Sequence, residues 1–137
     1  MSTSDPAAHP DVRAALAALH ELYATPPALG DCLMFSAHVD ERDVSVTLAF
    51  ETRQLPDRPR PEWGGKPYNT FVFSLVFGGA AGLRVHGLLA DERREVSLEP
   101  LPDGRLAVSV VGPHRSLTFT AATLALADPA VRLSGGV

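Results

Sequence analysis

The stretch Asn69-Thr70-Phe71-Val72-Phe73-Ser74-Leu75-Val76-Phe77 decides the fold. In an extended chain Phe71, Phe73, Leu75 and Phe77 share one face, with Val72 and Val76 on the other; a helix would scatter the same residues around its axis. A strand apolar on both faces is expected at the centre of a sheet, covered on both sides. The Gly78-Gly79-Ala80-Ala81-Gly82 segment that follows reads as a hairpin loop, returning the chain through Leu83, Val85, Gly87 and Leu89.

Toward the N-terminus, residues 55–68 hold Pro56, Pro59, Pro61 and Pro67 with Gly64 and Gly65. They cannot donate a regular ladder and predict a long loop. Before it, Leu33, Phe35, Ala37 and Val39, then Val44, Val46, Leu48 and Phe50, alternate around a charged turn at 40–43, which predicts a β-hairpin. Earlier still the period changes. Val12, Ala15, Leu16, Leu19 and Leu22 recur at helical spacing over residues 11–23, and Pro26-Pro27 end that helix. Residues 1–8 are small and polar and read as a disordered tail, leaving 9–137 as a single domain.

Toward the C-terminus, Val96 and Leu98 lead through Pro102-Asp103-Gly104 to Leu106, Val108 and Val110, a hairpin signature. Gly112-Pro113 turns the chain into Leu117 and Phe119, and residues 124–127 read as a last edge strand. The expected fold is α+β: an N-terminal amphipathic helix, then a predominantly antiparallel meander of about 6–8 strands, because parallel pairing needs long crossovers. The helix is expected to cover the second face of the Phe-rich strand. A two-sheet sandwich is the rival packing.

The 137 residues suit one domain, and 45% hydrophobic with 20% charged composition is enough to fold alone. Sixteen acidic against twelve basic residues give a net charge of −4, the wrong sign for gripping nucleic acid phosphates. Cys32, the single cysteine, excludes an intramolecular disulfide and suits a reducing compartment. No basic, apolar leader opens the sequence, and the longest nearly uncharged apolar run, 71–83, is short of the ~20 residues of a membrane span. A cytoplasmic protein is expected.

Chemistry is sparse. His9, His20, His38, His86 and His114 show no two-ligand helical spacing. His38 and His86 read as solvent-facing strand residues, with a site shared with Asp40 or Glu51 as the alternative. No serine sits in a Gly-x-Ser-x-Gly elbow. Cys32 reads as a packed hydrophobe. Neither a catalytic residue nor a metal ligand is assigned, and no cofactor is expected. Two loops are candidates for partner binding: the turn with Asp40, Glu41 and Asp43, and the Pro-rich segment with Trp63, which either plugs the core or stands out as an anchor.

Several stretches together resemble the Immunity protein 50 family of bacterial polymorphic toxin systems. They are Pro27-Ala28-Leu29, Val44-Ser45-Val46-Thr47-Leu48-Ala49-Phe50, Pro61-Glu62-Trp63 and Tyr68-Asn69-Thr70, then Leu75-Val76-Phe77, Leu83-Arg84-Val85-His86-Gly87 and Leu117-Thr118-Phe119. The likeness runs over roughly residues 26–127 and departs at Ala28, where the family commonly has Ser. It implies a non-catalytic protein that neutralises a cognate protein toxin; the acidic charge and the short apolar run predict no direct contact with nucleic acid or membrane, and a homodimer is left open. Two other classes stay open: a small-ligand or regulatory β module using Arg84, His86 and Trp63, and an enzyme using histidine and carboxylates.

Overall fold

The computed structural model describes residues 5–87 and 95–134. The expected strand position Leu89, residues 1–4 of the expected tail and the last three residues lie outside the described residues. Pro6–Ala8, counted with that tail, form a 3-10 turn.

Helix α1 spans Pro10–Leu22 and begins for local reasons. Pro10 occupies a first-turn position where no N–H is needed, Asp11 faces the positive end of the helix dipole, and the His9 ring accepts the Asp11 N–H. Its inward stripe is Val12, Ala15, Leu19 and Leu22; Leu16, expected in that stripe, lies at its margin and is 38% exposed.

Eight antiparallel strands follow: β1 (Leu33–Asp40), β2 (Ser45–Thr52), β3 (Thr70–Gly78), β4 (Ala81–His86), β5 (Glu95–Pro100), β6 (Leu106–Val111), β7 (Ser116–Ala121) and β8 (Thr123–Arg132). They make two four-stranded sheets, ordered β1-β2-β3-β8 and β4-β7-β6-β5. β3 pairs with β2 through Val46↔Phe77, Leu48↔Leu75 and Phe50↔Phe73, so the apolar faces of both strands coincide. The fold is α+β, with β1-β2-β3 and β5-β6-β7 each a meander.

The glycine-rich segment after β3 corrects the hairpin reading. β3 and β4 do not pair; β3 pairs with β8 and β4 with β7. Both chains cross from one sheet to the other side by side, β3 through Gly78-Gly79-Ala80 and β7 through Ala122, where the Ala122 N–H donates to Gly78 O at 2.8 Å. Gly79 has φ 63°, and a Cβ there would lie 2.8 Å from the Ala122 Cβ, so glycine is required for both conformation and space.

The core lies between the sheets and α1. Phe50 stacks on Phe73 with centroids 5.5 Å apart, and Phe77 of β3 meets Phe119 of β7 edge-to-face at 5.1 Å, joining the two sheets. α1 does not cover the Val72–Val76 face as expected. It packs on the Phe face, where Leu75, Leu98 and Leu124 oppose Val12, Ala15 and Leu19 across one cleft. The reason is the second sheet: once β4–β7 fold over β3, the Phe face is the interior and the helix fills its open end.

Candidate functional site

The β1–β2 turn carries Asp40, Glu41 and Asp43. Asp40 pairs with Ser45 at the end of the ladder, and its carboxylate folds back to accept the N–H groups of Arg42 and Asp43, with Arg42 forming an ion pair at 3.4 Å. The Arg42 hydrogen bonds hold the Asp40 carboxyl below the usual range. Glu41 and Asp43 are exposed. Val44 closes the turn with φ 52° and is 52% exposed. Its carbonyl accepts the Ala80 N–H, tying the turn to the start of β4. Beside it a groove of about 300 Å³ runs between Val39, Val44 and Leu83.

Trp63 is at the other end. Arg60 and Pro61 start the 3-10 turn Pro61–Trp63, which turns the indole inward against Phe71 at 6.0 Å, under the Arg60 guanidinium at 5.6 Å. Trp63 is only 5% exposed, the plug of the two sequence readings. The loop around it is a strap on α1: the Arg58 N–H donates to Leu22 O, the Arg58 side chain to His20 O, and Asp57 accepts the Ala24 N–H. Phe71 and Gly78 lie toward opposite ends of β3, about 23 Å apart at the strand rise, so the structure does not bring Trp63 and the acidic turn together. Nor does Trp63 share a pocket with Arg84 and His86, which stand on β4.

β1 departs from the expected alternation. Its register slips between Met34 and Ser36, so Met34 is buried opposite Phe50 while Leu33 and Phe35 turn outward and are exposed; Val39, beyond the bulge, shares the face of its buried partner Val46 and is exposed because β1 is the edge of the sheet. Nothing marks such a bulge in the sequence except two adjacent large apolar residues, Met34 and Phe35. Phe35 lies under the Arg132 guanidinium at 5.2 Å, and Arg132 also bridges Glu51 at 2.9 Å.

Elsewhere reactive groups are quenched. Cys32 is buried, and burial pushes its thiol up to about 11. His38 and His86 are exposed on separate sheets, and among the described residues no group of three or more His, Cys, Asp or Glu could hold a metal ion. A cleft of about 270 Å³ between α1, residues 26–29 and Leu98 is lined by apolar side chains and His20. No helix of the described residues is long and apolar enough to cross a membrane.

Searches of curated proteins and of solved structures gave no match. A family model does match: Immunity protein 50, over residues 16–132. That span takes in the helix from Leu16 onward, the acidic turn, the Trp63 strap and both sheets, and covering most of the chain it shows that the chain belongs to the Immunity protein 50 family.

Proposed function

We propose that this protein is a non-catalytic immunity protein of a bacterial polymorphic toxin system, binding and neutralising a cognate protein toxin in the cytoplasm. The observation that carries the reading is the family match over residues 16–132. The chemistry of the described residues supports it: the buried thiol is protonated at neutral pH, and the acidic groups are displayed on a turn. Residues 9–137 act as one binding domain without metal or organic cofactor, and the partner meets the face bearing Asp40, Glu41 and Asp43. The contact is protein to protein; neither nucleic acid nor membrane is bound directly. Trp63 serves it indirectly, by holding the loop that straps α1.

Co-expression with the toxin encoded by the adjacent gene tests this. Cells are expected to survive, and the two proteins to copurify at a fixed stoichiometry with no metal at one equivalent. Loss of viability despite soluble protein overturns the reading. The cleft beneath α1 favours a small-ligand module instead, but His20 is the one polar side chain of its lining, whereas ligand sites orient their occupants with several convergent polar groups.

A further inference from the structure

Four strands form the edges of the two sheets: β1, β8, β4 and β5. Natural sheets guard such edges with charge, proline or a bulge, because an edge offers unpaired backbone groups to any passing strand. β5 carries Glu95, Glu99 and Pro100; β8 carries Asp128-Pro129 and Arg132; β4 carries Arg84 and a register shift at Gly82–Leu83. β1 differs. Up to its terminal Asp40, whose carboxylate folds back on the turn, the strand Leu33-Met34-Phe35-Ser36-Ala37-His38-Val39 holds no Asp, Glu, Lys, Arg or Pro, and its bulge is confined to one end, leaving Ser36 to Asp40 in regular register with β2. Leu33, Phe35 and Val39 are 42%, 45% and 46% exposed, so apolar side chains stand open at both ends of this edge.

From this edge we infer that β1 is where the partner docks, adding one of its own strands to the β1-β2-β3-β8 sheet, and that this strand comes from a basic protein. The inference rests on the toxin-binding reading and names the surface and its occupant. Charge selects the occupant. Asp31 lies just before β1, and Asp40, Glu41 and Asp43 lie at its far end. A second copy pairing antiparallel about a two-fold axis would bring the Asp40 end of one chain against the Asp31 end of the other, like charge against like at both ends. A strand flanked by lysine or arginine would find carboxylates at both ends, backbone partners along β1 and apolar cover for Val39 and Phe35.

The test uses the full chain and the toxin encoded by the adjacent gene. Hydrogen exchange of free and complexed protein should show the amides of residues 36–40 slowed at least tenfold in the complex. Val39→Lys, at an exposed position, should weaken binding at least tenfold with an unchanged melting curve. Val85→Lys, the same change on β4, should leave affinity as it was. If a complex forms but β1 is unprotected, or Val39→Lys binds as the wild type does, the edge assignment is overturned and the toxin-binding reading stands. Failure of the wild-type chain to bind or to rescue overturns that reading, and the docking inference with it. Concentration-dependent protection of β1 in the free protein, with a doubled mass in sedimentation, would identify a second copy as the occupant and overturn the inference in its turn.

Discussion

At Val44 the backbone takes φ 52°, where a β-branched side chain crowds its own carbonyl, and the residue is half exposed, so core packing does not repay the strain. Conformations of this kind cost about 1–3 kcal/mol and cluster at functional surfaces. Val44→Asn, which suits the left-handed region, should therefore raise the denaturation midpoint by the equivalent of about 1 kcal/mol while changing partner affinity; an unchanged or lower midpoint would show that the valine side chain stabilises the turn. Four residues earlier, the hydrogen bonds from Arg42 lower the Asp40 carboxyl. Its contribution is present above the ordinary carboxylate range and is lost as pH falls through the lowered value. Because the group is exposed, the effect is read best site by site: an NMR titration should find Asp40 below the ordinary carboxylate range, and Arg42→Ala should return it upward. The sign reverses at Cys32, whose thiol is raised from an ordinary value of about 9 to about 11 by burial and then by Asp31. The stabilisation of its neutral form is full below pH 9 and is lost as pH rises toward 11. Native protein should accordingly resist thiol labelling at neutral pH, and urea midpoints should fall across that alkaline interval. Tyr23, pushed up mainly by burial, adds to the same trend.

Helix α1 is fixed to both sheets at its N-terminus. With the His9 Nδ1 accepting from Asp11, its Nε2 carries the hydrogen and donates to Gly104 O in the β5–β6 turn at 3.0 Å, while the Asp11 carboxylate accepts the Leu124 N–H of β8 at 2.9 Å. His9→Ala removes a cap and a tether together and should cost about 1–3 kcal/mol in chemical denaturation; a loss of a few tenths would mean that the helix stays docked by its apolar stripe alone. In β3, Phe73 touches both Phe50 and Phe71, and Phe73→Ala should cost about 3–5 kcal/mol. These elements were legible because their periods are local. The helix spacing of Val12, Ala15, Leu19 and Leu22, though not Leu16, and the alternation through Phe71–Phe77 survive into the fold. What was not legible depends on distant partners. The orientation of β1 turns on a bulge that no single residue announces, and the β3–β4 crossing is chosen by pairing with β7 and β8, far along the chain. The acidic turn was legible as a charged hairpin tip; the exposed edge beside it was hidden, because Leu33, Phe35 and Val39 have the composition of a core strand.

The two sheets are held as one body by the pair of chains that run through both, β3 into β4 and β8 into β7, bending together where Gly79 lies against Ala122. Gly79→Ala would force a side chain into the left-handed region and against Ala122, and should cost more than the about 1 kcal/mol of a simple glycine-to-alanine change in the wrong conformation. Far-ultraviolet circular dichroism should still report strands at low temperature, with the thermal transition moved down by several degrees. The bent ribbon also sets the order of assembly. Each three-stranded meander joins neighbours in sequence and can close early, but β4–β7 and β3–β8 zip together segments far apart in the chain, from His86↔Ser116 out to Thr70↔Arg132, so the docking of one meander on the other waits on a large loop closure. Refolding should thus be slow for a domain of this size, with substitutions in the ribbon affecting the folding rate and those in the outer strands the unfolding rate.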